Sequence, residues 1–449
     1  MIMRTLSYIS SLSLILILGV FCFQANGQST ENTVQTSLSG DSLSLMQIMQ
    51  VVIQSHPSIK EAEEAINIAD AKIGMARSSY YPNVDASASY SRIGPVPTIE
   101  FPGLGNFQLY PQDNYSAAVN YNQVIYDFGK TKKSVGLENE NKILAEKNAD
   151  LAKQKLSLLT ANTFYSLVFI QEAIKIKDKE LQVLKEHLEF VEKKKATGSA
   201  TQYEYLTTQV KISATETQKL DLETMHKVQQ SVLESLTGLS ATSNPTVKQD
   251  FNPVMLSVAN DSLMTYAYTH RLELDLSKEK ETISGLQYQL AKSQNNPVLN
   301  VFASGGGKNG YIPDLNVVKA NFVAGVGLKI PLFDGNRTKY SLMQSKSAVN
   351  NSAYETELAR RGITNEVIES EANRVSALQR IKQNELQLAQ AEEAFSLAKV
   401  NFSTGAITNL DLLDAENVVS ETSLQLLKSK VDYATSVFRL NIALGNKMY

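Results

Sequence analysis

Residues 113–138 read DNYSAAVNYNQVIYDFGKTKKSVGLE, and within them the spacing of apolar side chains changes once. Up to Tyr126 the period is two: Tyr115, Ala117, Val119 and Tyr121 alternate with Ser116, Ala118, Asn120 and Asn122. That is the pattern of a strand with two unlike faces. Beyond Gly129 charge takes over, and Leu137, Leu144, Leu151, Leu158 and Tyr165 fall seven apart, as along one side of a long helix. A strand therefore runs through Asp127-Phe128-Gly129 directly into a helix, and Asp127 reads as a cap for that helix rather than a catalytic acid.

The same passage occurs twice. Tyr126-Asp127 returns as Phe333-Asp334, Ala196-Thr197-Gly198 as Ser403-Thr404-Gly405, and Leu236-Thr237-Gly238 as Ala443-Leu444-Gly445, each 207 residues later. A single offset held over more than a hundred residues predicts a duplicated domain, since solenoid repeats have periods of about 20 to 50 residues. Upstream, Tyr81-Pro82 matches Asn296-Pro297, and His56-Pro57 and His270-Arg271 open the copies. The first copy spans 28–238, with a β-hairpin in 80–128 and long helices in 129–238. The second spans 262–449, with a hairpin in 297–334 and long helices in 335–445. Residues 239–261, with Pro245 and Pro253, read as the linker between them.

Composition separates the two kinds of segment. Residues 80–128 hold 10 aromatics and five charges, whereas 129–198 hold 24 charges, so the first is strand and the second solvated helix. Val84, Ala86, Ala88 and Tyr90 form the other strand of the first hairpin, and the Gly- and Pro-rich run from Gly94 to Pro111 is a long loop. In the second copy Leu299, Val301 and Ala303 lead to Gly305-Gly306-Gly307, expected at the loop tip. Phe322, Ala324, Val326, Leu328 and Ile330 then alternate with Asn321, Gly325, Gly327 and Lys329. Leu167, Ile174, Leu181 and Leu188, with Ile170, Leu184 and Val191, predict an a/d seam. Ile381, Leu388, Phe395 and Phe402 continue it in the second copy, and Leu412, Val419, Leu426, Tyr433 and Leu440 follow after the Gly405 turn. About 65 helical residues at 1.5 Å each make a rod on the order of 100 Å.

The 449 residues carry 43 Lys+Arg against 46 Asp+Glu, a net charge of −3, with 4 His, 1 Cys and no Trp. That balance lacks the basic footprint of nucleic-acid binding. One cysteine excludes a disulfide framework, a redox pair and a thiolate zinc cluster. Residues 1–27 read as a cleaved secretory signal, with Arg4, an apolar run from Leu12 to Phe23, and Ala25-Asn26-Gly27 before Gln28. The run is shorter than the roughly 20 residues an uncleaved anchor needs. Phe21 before Cys22 departs from a lipoprotein signal. No later stretch is apolar enough for a spanning helix, which leaves a soluble exported protein or one that crosses an outer membrane as strands. Four strands per chain cannot close a membrane barrel, for which about eight are the minimum. Two chains would supply eight and three would supply twelve, and only the wider barrel keeps an open lumen. The helices would continue that cylinder as a tube.

With these residues placed, the chain resembles the TolC-type outer-membrane efflux proteins. The resemblance runs from Ser42-Leu43-Ser44-Leu45 and His56-Pro57 through Tyr81-Pro82, Tyr126-Asp127-Phe128-Gly129 and Pro331-Leu332-Phe333-Asp334-Gly335 to Thr404-Gly405 and Leu444-Gly445. It implies an α+β membrane protein with long antiparallel coiled-coil helices and four transmembrane strands per chain. Three chains would form a twelve-stranded barrel on a helical periplasmic tunnel. It also implies an outer-membrane location, a periplasmic adaptor (a membrane fusion protein), an inner-membrane transporter, no cofactor and no enzymatic activity. The function that follows is passive exit of drugs, toxins, metals or proteins, energised elsewhere.

The candidate site lies at the two Thr-Gly turns, Thr197-Gly198 and Thr404-Gly405, which the resemblance places at the tunnel's periplasmic end, facing the adaptor. Asp411 and Asp414 are three apart and share a helix face. The family lines its entrance with that face, so three copies would stack two carboxylate rings, attractive to cations. Glu204 is the first-copy equivalent. Some members bar the entrance with an arginine and a tyrosine, whose places here hold Ile407 and Phe402. An apolar constriction is the expected substitute. His56 and His270 have nothing at metal-ligand spacing and read as helix-start residues. Two other readings fit parts of the pattern. A periplasmic coiled-coil scaffold accounts for the heptads but not the hairpins, and an outer-membrane enzyme accounts for the strands but would need convergent catalytic residues.

Overall fold

The computed structural model of the protein describes residues 42–103, 105–238, 246–248, 251 and 262–449. The expected signal segment and most of the 239–261 connection lie outside the described residues. In chain order, β1 (Ser42–Leu43), α1 (Leu45–Ser55) and α2 (Pro57–Ser78) precede β2 (Asn83–Arg92), β3 (Thr98–Phe101), β4 (Gly105–Gln108) and β5 (Asp113–Tyr126). Then come α3 (Lys130–Ala196), α4 (Gln202–Thr237), β6 (Thr246–Val247), α5 (Leu263–His270) and α6 (Leu272–Lys292). The chain closes with β7 (Val298–Lys308), β8 (Lys319–Lys329), α7 (Arg337–Thr404) and α8 (Asn409–Ala443).

The two hairpins form one sheet, in the order β2-β5-β7-β8, antiparallel throughout. Register fixes its faces. Asp85 pairs with Asn120 and Asn120 with Ser304, and Asn120 donates to Asp85 at 2.8 Å and to Ser87 at 3.1 Å while Ser304 donates to it. The opposite face carries Ala86, Val119, Gly305 and Phe322, again in register. Across β2, β5 and β7 the alternation thus separates a hydrogen-bonded polar row from an apolar one, and the polar row ends at Val323 on β8.

Two expectations fail here. Gly305-Gly306-Gly307 is not a loop tip: the strand β7 runs through all three, paired with β5 on one side and β8 on the other. A Cβ on Gly306 would stand 2.0 Å from the Ala117 carbonyl oxygen and 2.7 Å from the Ala118 Cα. Close approach of the neighbouring backbone, rather than a turn, is what demands glycine there. The Pro- and Gly-rich segment before β5 likewise holds a small hairpin, β3 with β4, which its prolines concealed.

The helices build a rod of four columns. α3 and α7, of 67 and 68 residues, are continuous, and at 1.5 Å per residue each is about 100 Å long. Along α3 lie α2 and then α4; along α7 lie α6 and then α8. Both long helices start the same way. Asp127 accepts from the Thr131 amide at 2.7 Å and Asp334 from the Thr338 amide at 2.9 Å, and Gly129 and Asn336 turn the chain in the left-handed region. The aspartates therefore do hold the helix starts, from two residues before the cap positions Gly129 and Asn336. His56 also caps, its Nδ1 accepting from the Ser58 amide at 3.2 Å, whereas His270 ends α5 and stacks on Tyr266.

Two apolar cores lie at mid-rod, where the half-length columns meet. Leu263, Ala267, Leu274, Ile363, Val367, Leu440 and Leu444 form one cluster, and Met49, Ala161, Phe438 and Ile442 another. Arg271, 4% exposed, ties the joint by donating to Glu366 at 2.6 Å and Glu273 at 2.8 Å. Among the described residues no helix is long and apolar enough to cross a membrane.

Candidate functional site at the helix reversals

Both long helices reverse at the end of the rod far from the sheet, by the same device. The Ser199 amide reaches back to the Lys194 carbonyl and that of Gly198 to Lys195; the Ala406 amide reaches Asn401 and that of Gly405 reaches Phe402. This double closure needs a left-handed residue after the helix, and Gly198 (φ 75°) and Gly405 (φ 77°) supply it. Thr197, Gly198, Thr404 and Gly405 are all exposed. The returning helices then start with capping boxes. Glu204 accepts from the Thr201 amide at 2.7 Å while the Thr201 hydroxyl accepts from Glu204 at 3.1 Å. Asp411 accepts from the Thr408 amide at 2.8 Å and Thr408 accepts from Asp411 at 3.3 Å.

Asp411 and Asp414 are both exposed, on the first two turns of α8. The Thr408 hydroxyl and amide hold the Asp411 carboxyl below the usual carboxylate range, so it stays ionised at neutral pH. Glu204 is only partly exposed and is engaged in its box. Phe402 is placed differently from an aperture residue. It is 6% exposed, packed with Val191 and Leu412 and edge-on to His187, because it falls on the buried seam of α7. Ile407 is half-buried against that same cluster.

The reversals also hold residues that periodicity did not single out. Asn409, 3% exposed, accepts at its Oδ1 from His187 Nε2 at 2.6 Å and donates from its Nδ2 to the Glu204 carbonyl and the Thr207 and Thr208 hydroxyls, binding both reversals together. Further in, Lys177 donates to Glu180 at 2.7 Å and to Ser420 at 3.1 Å, and Ser420 donates to Glu180. Lys211 donates to Asn417 and stands 3.8 Å from Glu180. Glu416 is buried beside them. Ala173, Lys177, Glu180, Leu184, His187 and Val191 are spaced alternately four and three apart, so polar residues at seam positions were a signal in the sequence.

A four-stranded antiparallel sheet with unlike faces, mounted on a rod of antiparallel helices, has the plan of a barrel-wall segment continued as a helical column. Comparison with known proteins narrows this. The family model described as outer membrane efflux protein matches residues 48–239 and 284–446. The alkaline protease secretion protein AprF of Pseudomonas aeruginosa is 22% identical over 345 residues, covering 74% of this chain and 70% of that one. Outer membrane protein TolC of Vibrio cholerae is 20% identical over 410 residues, 89% and 90% of the two chains. The crystal structure of the outer membrane protein VceC from Vibrio cholerae superposes with a TM-score of 0.75 at 19% identity, covering 90% of this chain and 96% of that one, which shows a common fold. The chain belongs to the outer membrane efflux protein family. It is an exit duct of the outer membrane, with its helical rod on the periplasmic side.

Proposed function

We propose that three copies of the chain assemble into the duct, and that the helix reversals form its periplasmic entrance. The observation that carries this is the open four-stranded sheet at the end of the rod. In hydrocarbon an unpaired sheet edge is not tolerated, and β2 and β8 are edges. Three copies close them into twelve strands, wide enough for a lumen. Unpartnered apolar side chains on the returning helices, among them Tyr203, Val210, Leu410 and Val418, supply faces for neighbouring copies.

In that assembly Asp411 and Asp414 give six carboxylates around one axis, with Glu204 engaged behind them. Ile407 supplies the apolar narrowing, propped by the buried Phe402. The exposed turns at Thr197, Gly198, Thr404 and Gly405 meet a periplasmic adaptor that links the duct to an inner-membrane transporter, as a tripartite efflux or type I secretion system requires. Relatives named for protease secretion support the second. Residues 1–27 direct export and are removed, 239–261 join the two halves, and the duct itself performs no catalysis.

The test is conductance in planar bilayers. The reconstituted protein should conduct weakly, prefer cations, and be blocked by multivalent cations from the periplasmic side. Because Asp411 also caps α8, the charge is removed by Asp411→Asn with Asp414→Asn, which should reduce selectivity and block while cross-linked trimers persist. Unchanged selectivity in the double variant would overturn the entrance assignment, and a monomer in detergent would overturn the assembly.

A further inference from the structure

The buried charges inside the coiled coil are not balanced alike. Glu180 is served by Lys177, Ser420 and Thr215, and Lys211 is committed to Asn417 beside it. Glu416, 6% exposed on α8, has no such service: its Oε2 is buried without a hydrogen-bond partner. The groups around it come from every packed helix. α3 brings Lys177 and Glu180, α4 brings Lys211, and across a shared cavity stand Glu186 and His187 of α3 and Lys399 of α7. That cavity, of about 230 Å³, is walled by Leu184, Phe190, Phe395 and Leu412, and at about 30 Å³ per molecule it has room for several waters.

A buried carboxylate lacking a partner must either take a proton or find polar company. With both lysines engaged, company means drawing Lys211 away from Asn417 or wetting the cavity between α3, α7 and α8. We propose that Glu416 is a proton-binding site whose occupancy sets how firmly α8 is held against α3 and α4, next to the helix reversal. Protonated, the carboxyl is neutral and the seam stays closed and dry; ionised, it loosens the seam.

Burial, with the Glu180 carboxylate beside it, raises Glu416 from the ordinary 4.5 to about 7. The sign follows from the folded state binding the proton more tightly. The contribution to packing is complete below about 4.5, declines as pH rises, and is gone above about 7. Burial lowers the His187 imidazole from its usual range and favours its neutral form, and the Glu416 variants separate its titration from that of the carboxyl. In Glu180, burial opposes ionisation but Lys177 and Ser420 outweigh it, so it stays charged. The proposal rests on this cluster alone and stands apart from the reading of the entrance.

Amide hydrogen exchange of the full chain in detergent tests it, with rates divided by the intrinsic rate at each pH. In the wild type, protection of the first half of α8 should fall by about ten- to a hundredfold between pH 5.5 and 7.5. An infrared acid-carbonyl band should be lost over the same interval. Glu416→Gln and Glu416→Leu both remove the titration, so each should show neither change; the second keeps the test open if a buried amide impairs folding. Wild-type protection that is equal at the two pH values would overturn the proposal. So would a pH response retained in the variants.

Discussion

Gly238 and Gly445 are equivalent in sequence yet differ in what surrounds them. Both sit in the left-handed region, at φ 70° and 88°, where a side chain costs about 1 to 2 kcal/mol. At Gly238 a Cβ would meet nothing within 4 Å, whereas at Gly445 it would stand 2.5 Å from the His270 carbonyl carbon and oxygen and 2.9 Å from the Arg271 nitrogen. Gly238→Ala should therefore destabilise by about 1 kcal/mol, the conformational cost alone. Gly445→Ala should cost about 3 kcal/mol or more, because backbone atoms at the mid-rod joint must move. Thermal unfolding of the two variants measures the difference, and equal melting temperatures would contradict it. The repeat offset exposed both glycines, but only packing against the His270–Arg271 backbone distinguishes them.

Among elements, the strands were the most legible. A period of two needs no partner to be seen, and the apolar face it assigned to Val119 is the face that Ala86, Gly305 and Phe322 share. Asn120 lies on the other, hydrogen-bonded row. Val119→Arg should cost about 2 to 4 kcal/mol of assembly stability, and Asn120→Arg distinctly less. Heat-resistant oligomer on gels and yield in the outer-membrane fraction would report it, and equal assembly of the two variants would reverse the faces. The glycine run of β7 was misread because glycine signals a turn by propensity, while here two paired neighbours override it. The helices were legible from the absence of proline and the heptads. Their polar seam shows in the sequence only as the spacing that puts Lys177 and Glu180 at seam positions; their pairing with Ser420 and Lys211 appears when three helices are brought together.

At the scale of the whole molecule, Arg271 connects the columns of the rod. It lies between α5 and α6, reaches Glu366 of α7, and donates to the Ile442 carbonyl of α8 at 3.4 Å. Glu366 is 45% exposed and Glu273 33% on their side chains, so water can recover much of their solvation if the arginine is lost. The remaining cost is the buried carbonyl and the packing of the guanidinium stem. Arg271→Met should thus destabilise by about 2 to 3 kcal/mol, seen as a lower melting temperature and as proteolytic nicking near mid-rod. A variant as stable and protease-resistant as the wild type would show that the apolar clusters hold the joint unaided.

The sequence alone determined the duplicated plan, the hairpins with their faces, the long helices and the glycine-closed reversals, because each is a local or periodic property written along the chain. Only the tertiary structure decided that the two hairpins pair through β5 and β7, that Phe402 turns inward, that Asn409 clasps both reversals, and that Glu416 is buried without a partner. These depend on residues some 180 to 240 positions apart meeting in space, and neither a period nor a motif encodes which side chain will find a hydrogen bond when they do.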